Sequence, residues 1–374
     1  MTDKHCNWHA NVLVPIHMLH HIYSDSLAHL LTSVLSKSHF TPVFLSSHSS
    51  HLTLAFTASV LGLTHIRALD AHLFSTAKNS SSLSSLNHGD VIEIQGAPSS
   101  GKTHLLYHLL INCITPSGHH SINLGGWDKA AVVFDMDHSF DIVRFNRLLQ
   151  GRLTRLMGGS ASAIEAIAQR SLEKLRIFRP CSSSQLAVTI SHLAEYQSTH
   201  LPNEEIGIVA IDSMSAHYWP DRFFAEQIRT AAASPEHPRN VDIPPLQHVL
   251  LALESFRRSH GPVILLTNWG LHLVSNSNPI LYRQHLHPFP APFPHSHPPT
   301  PHHDVNATIP QENLLRLTCH ITLHQDMSRA SGAVSKEVSW DMEESAIVGL
   351  VRTPNHPTVH KFLLSITGDD ILTN

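Results

Sequence analysis

The chain has 374 residues, 42% of them apolar, which is enough length for one large domain or two ordinary ones and enough apolar surface for a sizeable core. Only 14% are charged, against about a quarter in ordinary globular chains, and the formal net charge of −4 excludes a whole-chain basic field, so any DNA contact has to be local. The four cysteines, Cys6, Cys113, Cys181 and Cys319, stand far apart, which excludes a Cys-x-x-Cys metal or redox motif and a disulfide framework and suits a reducing compartment.

In chain order, residues 1–64 read as an uncharacterised His/Ser-rich N-terminal extension, disordered or lineage-specific, and residues 77–88 as a Ser/Asn linker. The N-terminus has no basic n-region, and the first arginine is Arg67, so no secretory or mitochondrial leader is expected. Val91-Ile92-Glu93-Ile94 is a β-prone run that ends at a glycine, and an apolar helix is expected over His104–Ile114 with Lys102 and Thr103 in its first turn. A second strand covers Ala130–Phe134 and ends in Asp135-Met136-Asp137, before a helix over 139–157. Leu175–Phe178 is a third strand, and Ser183–Tyr196 a helix with Ser182 or Ser183 as N-cap. Ile206–Ile211 is a fourth strand, closed by Asp212. Pro245 suits the first turn of a helix that runs to about His260, and Val263–Thr267 is a fifth strand. Residues 271–312 carry a dense Pro/His cluster without periodicity and read as a long mobile loop. Leu314–Leu323, Ala346–Arg352 and Lys361–Ile366 read as further strands, an antiparallel extension of the sheet. No apolar run reaches the about 18 residues that cross a membrane.

Strands that alternate with helices, each strand a continuous apolar run, imply a mainly parallel sheet with helices on both faces. The fold class is therefore α/β, with a P-loop NTPase core over 65–374. The loop Gly96-Ala97-Pro98-Ser99-Ser100-Gly101-Lys102-Thr103 matches Gly-x-x-x-x-Gly-Lys-[Ser/Thr] between a strand and a helix. A triphosphate needs several donors converging on a concave site, and a Gly-rich turn into a helix offers unpaired N–H groups and the positive helix end. Lys102 is expected to reach the phosphates of ATP, and the Thr103 hydroxyl to ligate Mg²⁺.

Asp212 ends an apolar strand and is either a Mg²⁺-holding Walker B carboxylate or an ordinary acid capping a turn. Asp137 is either the catalytic carboxylate that orients the attacking water or a loop acid and N-cap for the helix over 139–157. Residues 144–180 hold eight Arg or Lys against two Glu. That bias is either the solvated face of helices or a contact with a nucleic-acid backbone. Many of the 34 histidines sit in polar, Pro-rich or Ser-rich surroundings, as compositional drift or as metal-binding His-rich segments.

The string His88-Gly89-Asp90-Val91-Ile92-Glu93-Ile94-Gln95-Gly96, running into Ser100-Gly101-Lys102-Thr103 and then Leu106-Tyr107-His108-Leu109, resembles the RecA-like recombinase paralogues. So do Phe134-Asp135-Met136-Asp137-His138-Ser139-Phe140-Asp141, Cys181-Ser182-Ser183-Ser184-Gln185-Leu186, and Ile211-Asp212-Ser213-Met214-Ser215-Ala216-His217-Tyr218-Trp219-Pro220-Asp221-Arg222. The likeness spans residues 65–270, holds in outline over the final hundred, and leaves 1–64 unmatched. It implies a RecA-type core and a nuclear, ATP-binding subunit of a complex of recombinase paralogues. Such complexes act in double-strand-break repair by homologous recombination and assist recombinase loading on single-stranded DNA. The implied partners are other RecA-like subunits, with single-stranded or branched DNA reached through the complex, and no membrane.

Two departures from active recombinases bear on catalysis. The resemblance places Asp137 where those enzymes carry a Glu, one methylene longer, and a misplacement of about 1 Å can cost on the order of 100-fold in rate. It places Trp269 where they carry a Gln that senses the γ-phosphate, and Trp accepts no hydrogen bond. ATP binding with slow or absent hydrolysis is the expectation. An active DNA-dependent ATPase and strand-exchange recombinase is the first alternative, and an unrelated P-loop NTPase the second. The 271–312 loop contains one arginine, Arg283, and neutral histidines, so weak or no DNA binding is expected there at neutral pH.

Overall fold

The computed structural model describes residues 60–76, 85–232, 244–274, 280–289, 315–325, 346–354 and 356–373. All of them belong to the unit Phe56–Asn374. The expected extension up to residue 59, the linker over 77–84 and residues 275–279 and 290–312 of the expected loop lie outside the described residues. The elements begin with β1 (Val60–Gly62), α1 (Arg67–Thr76), β2 (Leu86–Asn87), β3 (Val91–Gly96) and α2 (Lys102–Ile114). They continue with β4 (Gly118–His119), β5 (Ile122–Asn123), β6 (Ala130–Asp135), α3 (Ile142–Met157), α4 (Ala161–Leu172) and β7 (Leu175–Phe178). Next come α5 (Ser183–Ser191), α6 (Leu193–His200), β8 (Ile206–Asp212), α7 (Tyr218–Ala232), α8 (Pro245–His260) and β9 (Val263–Trp269). The chain closes with β10 (Cys319–Gln325), β11 (Ala346–Thr353), β12 (His356–Ile366) and β13 (Ile371–Thr373).

Nine strands form one sheet in the order β13-β12-β11-β10-β3-β9-β8-β6-β7. Pairing is parallel from β10 through β7 and antiparallel from β10 to β13, so the fold is α/β with a largely parallel mixed sheet. The expected antiparallel extension therefore starts one strand later than the sequence suggests. Strand β10 runs parallel to β3, register Ile321↔Ile94, and only β11, β12 and β13 run antiparallel to their neighbours. Strands β3, β6 and β8 are buried at every position because helices cover both faces. On one face Leu105, Leu109, Phe145, Leu149, Ile164 and Leu69, from α2, α3, α4 and α1, join one core. On the other Leu186, Ile190, Leu193, Val249 and Leu253, from α5, α6 and α8, join a second.

Local chemistry accounts for the helix ends. Ser182 accepts the Gln185 N–H and starts α5, which breaks at His192 instead of running to Tyr196. Pro245 opens α8, and Gly261 closes it in the left-handed conformation. Asp141, not Asp137, caps α3 by accepting from Val143 and Arg144. Helix α2 is buried from Leu105 to Ile114, and its His108 and Asn112 side chains are served internally. His108 Nε2 lies 2.8 Å from the Thr64 carbonyl, and Asn112 Nδ2 donates to the same oxygen at 2.7 Å. Thr64 thus belongs to the body although it falls within the expected extension.

The basic stretch over 144–180 is largely spent inside the protein. Arg144 donates to the carbonyls of Thr367 and Gly368, Arg155 pairs with Asp370, and Arg152 donates to Asn112. Lys174 pairs with Asp128 and Glu204, Arg176 donates to the Glu173 and Leu175 carbonyls, and Arg179 pairs with Asp135. Six of the eight cations therefore have internal partners, and Arg144 and Arg155 fasten α3 to the turn between β12 and β13.

Residues 280–289 belong to the expected loop, yet they pack onto the second face, with Leu281, Tyr282, Leu286 and Phe289 buried. Beneath them runs a polar layer that alternation along β3 places on that face. Asn268 and Gln284 both donate to Glu93 Oε1, at 2.6 and 2.7 Å, and His320 Nε2 lies 3.6 Å from Oε2. Burial pushes the Glu93 carboxyl up to about 7, against the pull of Asn268, Gln284 and Arg352. The native state therefore holds an extra proton between the ordinary Glu value of 4.5 and about 7. The stability this group contributes is present below that window and is lost as pH rises through it. Glu93→Gln keeps an acceptor and removes the titration. Chemical denaturation should show the wild type losing on the order of a few kcal/mol relative to Glu93→Gln between about pH 5 and about pH 8. Parallel stability curves for the two proteins would contradict this assignment.

Candidate functional site

The loop between β3 and α2 is shaped by two glycines. A Cβ on Gly96 would fall on Ser100 Oγ and lie 2.7 Å from the Leu323 carbonyl oxygen. Gly101 has φ 89°, and a Cβ there would run into Ile347. Gly101 is also the N-cap of α2, and it supplies no side-chain cap. The N–H groups of the first turn, at Lys102 and Thr103, have no earlier helical carbonyl to bond, which leaves the positive helix end open to an anion.

Lys102 folds back over the loop, its Nζ donating to the carbonyls of Gly96 at 2.9 Å and Ala97 at 2.8 Å. Burial lowers the Lys102 ammonium from its ordinary value, while the charges of Asp212 and Asp137 raise it. Within the loop the Ser100 N–H donates to the Ala97 carbonyl at 3.2 Å, and Ser100 Oγ is buried without a hydrogen-bond partner. Ser99 takes a positive φ of 59° at the tip, next to Pro98.

Thr103 Oγ1 donates to Asp212 Oδ2 at 2.9 Å, and Thr267 Oγ1 donates to Asp212 Oδ1 at 2.5 Å. The carboxylate at the end of β8 is thus held by a hydroxyl on α2 and another on β9. Burial raises the Asp212 carboxyl and the Asp137 charge adds to that, while Thr267, Thr103 and Lys102 oppose it. Asp137 is exposed beyond the end of β6, and its Oδ1 accepts the Ser139 N–H at 3.1 Å. Trp269 ends β9 in register with Gly96, beside the start of the loop. Its N–H donates to Ser215 Oγ at 3.0 Å, and its carbonyl accepts from Gln95 at 3.4 Å. Sequence-predicted Gly96, Ala97, Ser100, Gly101, Lys102, Thr103 and Asp212 are therefore assembled around one loop, with Asp137 at its border.

Thr267 was missed by sequence reasoning, because a threonine near a strand end carries no signal of its own. Ser183 and Asp221 were also missed as a pair. Ser183 Oγ donates to Asp221 Oδ2 at 2.6 Å and ties the start of α5 to α7. On α7, Trp219, Phe223 and Phe224 stand exposed, 61%, 63% and 47% respectively, an apolar set that surface helices rarely display.

The fit of the site to Mg²⁺ and a nucleotide rests on its donors. Mg²⁺ prefers oxygen ligands and keeps several waters. Here a hydroxyl and a carboxylate are already in contact at the mouth of an uncapped helix, beside a lysine ammonium.

Curated proteins similar to the chain include two from a mouse and a plant. The DNA repair protein XRCC2 of Mus musculus is 33% identical over 135 residues, which cover 36% of this chain and 43% of the mouse protein. The chain resembles XRCC2. The XRCC2 homolog of Arabidopsis thaliana is 29% identical over 161 residues, covering 37% of this chain and 43% of that protein. The matched part is thus under half the length of each XRCC2 relative. No protein-family model matches the chain. Among the described residues no helix is long and apolar enough to cross a membrane.

Replacing Thr267 by Val removes one of the two hydroxyls on Asp212 and leaves a buried carboxylate oxygen unpaired. Denaturant titration should show a loss of about 1–3 kcal/mol. A variant as stable as the wild type would mean that water or another group serves Asp212.

Proposed function

We propose that this chain is an ATP-binding subunit of a complex of RecA-like recombinase paralogues, acting in double-strand-break repair by homologous recombination. Within that complex it assists recombinase loading on single-stranded DNA, and its place of action is the nucleus. The resemblance to XRCC2 supports the DNA repair role. The observation that carries the nucleotide reading is the contact of Thr103 with Asp212 at 2.9 Å, at the mouth of the helix that Lys102 begins.

In this reading the backbone of 96–103 cradles the phosphates, and Lys102 leaves the loop carbonyls for them. Thr103 and Asp212 hold Mg²⁺, which neutralises phosphate charge when bound. Gly96 and Gly101 keep the loop narrow. Asp137 is the acid nearest to a water-orienting role, but its carboxylate is short, exposed and tied to the Ser139 N–H. Binding with slow or absent hydrolysis follows, and bound nucleotide stabilises the folded subunit by mass action.

An independent DNA-dependent ATPase is less well supported. Six of the eight cations over 144–180 serve internal partners, and in the described part of the 271–312 segment Arg283 is the single arginine. Burial, with the His272 and His287 charges, lowers His285 of that segment to about 4, so it stays neutral at pH 7. The exposed aromatic set on α7 is where a neighbouring RecA-like subunit docks in this proposal, since aromatic anchors dominate protein interfaces.

Two measurements on the co-expressed complex test the proposal. ATP turnover should be slow, little changed by single-stranded DNA, and insensitive to Asp137→Asn. A robust DNA-stimulated turnover abolished by Asp137→Asn would favour the recombinase reading. Phe223→Ser should abolish co-purification with the RecA-like partner while shifting stability by no more than about 0.5 kcal/mol, as exposed positions do. Retained co-purification would remove α7 from the interface.

A further inference from the structure

A second constellation of chemically capable side chains lies outside the nucleotide site. His72 is on α1, and His356 and His360 are on β12. Their rings touch at centroid separations of 4.5 to 5.8 Å. One ring nitrogen from each lies within 4.8 Å of the others. His72 is 1% exposed, His356 is half-buried and His360 is exposed, so the group is open to solvent on one side only.

The hydrogen bonds around these rings prepare them as ligands. His72 Nε2 is 3.3 Å from Thr353 Oγ1, which fixes the ring from that side. The opposite atom, His72 Nδ1, is buried and has no hydrogen-bond partner. Thr358 Oγ1 lies 2.6 Å from His356 Nδ1 and 3.1 Å from His360 Nε2, so one hydroxyl orients both rings of β12 and each ring keeps its other nitrogen. A buried imidazole nitrogen without a partner is unfavourable unless something accepts its lone pair. Metal-ligating histidines are characteristically held through their second nitrogen in this way.

We propose that His72, His356 and His360 form a Zn²⁺ site that clasps α1 to β12. Among the described residues the group contains neither carboxylate nor thiolate, which disfavours Mg²⁺ and Ca²⁺ and suits a cation that takes imidazole. Zinc–nitrogen bonds of about 2.0–2.1 Å place tetrahedral ligands about 3.3 Å apart, and inward rotation of the rings closes the separations to that value. The fourth position goes to water on the exposed side. Occupancy stabilises the packing of α1 on β12, because the bound form exists only when the two elements are together. Metal binding was one of two sequence readings of the histidine content. Here it falls on three residues from the two ends of the folded unit.

The test uses the full chain, dialysed against free Zn²⁺ that a chelator buffers low enough to fill only multidentate sites among its 34 histidines. The wild type should retain one zinc equivalent, and zinc should slow backbone hydrogen exchange in 67–76 and 356–366. His360→Gln, at an exposed position, should fold as the wild type does by circular dichroism yet lose both the equivalent and the protection. Magnesium should produce neither effect. Retention of the equivalent by His360→Gln, or zinc uptake without protection of those two segments, would overturn the proposal.

Discussion

A buried carboxylate in an apolar core must be met by donors, and that requirement organises the centre of this protein. Asp212 is 3% exposed and receives one hydroxyl from α2 and one from β9. It therefore fixes the start of the helix, the end of its own strand and the end of the neighbouring strand in one arrangement. Met136 N–H donates to the Asp212 carbonyl at 2.7 Å, and Met214 N–H to the Thr267 carbonyl at 2.9 Å, so the loops after β6 and β8 are held at the same place. The loop over 96–103 beside it needs its two glycines because Leu323 and Ile347 close in from β10 and β11. Strands β10 and β11 thus shape the loop, and Gln325 at the end of β10 donates to the Ser99 carbonyl at 3.4 Å.

The two faces of the sheet divide the work. One is apolar and packs against α2 and α3. The other carries Glu93, Gln95, Asn268 and His320 under the segment 280–289, where Gln284 and His285 complete the polar layer. Buried polar layers of this kind set register more than they add stability. Positive charge is likewise directed inward, to the turn before β13 and to Asp135. Among the described residues, α7 displays Trp219, Phe223 and Phe224 to solvent. Most cations over 144–180 serve partners within the chain while α7 displays aromatics, a balance that suits the proposed role in an assembly better than coating DNA alone.

Much of this was legible in the sequence, for a physical reason. Fully buried parallel strands are largely apolar runs, so β6, β8 and β9 could be read directly, as could the Pro-started, Gly-ended α8. The loop over 96–103 and Asp212 carry type and spacing together. What escaped were features fixed by tertiary partners. Helix α4 buries only Ile164, Ile167, Ala168 and Ser171, a short stripe that the sequence reading passed over, and α7 carries Trp219, Phe223 and Phe224 outward. The direction of β10 depends on a crossover that its residues do not encode. The partners of Glu93 come from β9 and from a segment rich in proline and histidine, which composition marks only as a loop. Asp137 and Asp141 are interchangeable on paper, and backbone geometry alone decides that Asp141 caps α3.

The most direct measurement of the account is equilibrium binding of ATP to the folded chain in magnesium buffer, alone and with its companion subunit, for the wild type and Lys102→Ala. Saturable binding that raises the melting temperature, needs magnesium and is lost in the lysine variant is the predicted result. A folded wild type that takes up no adenine nucleotide in either setting, or a lysine variant that binds as well, would contradict it.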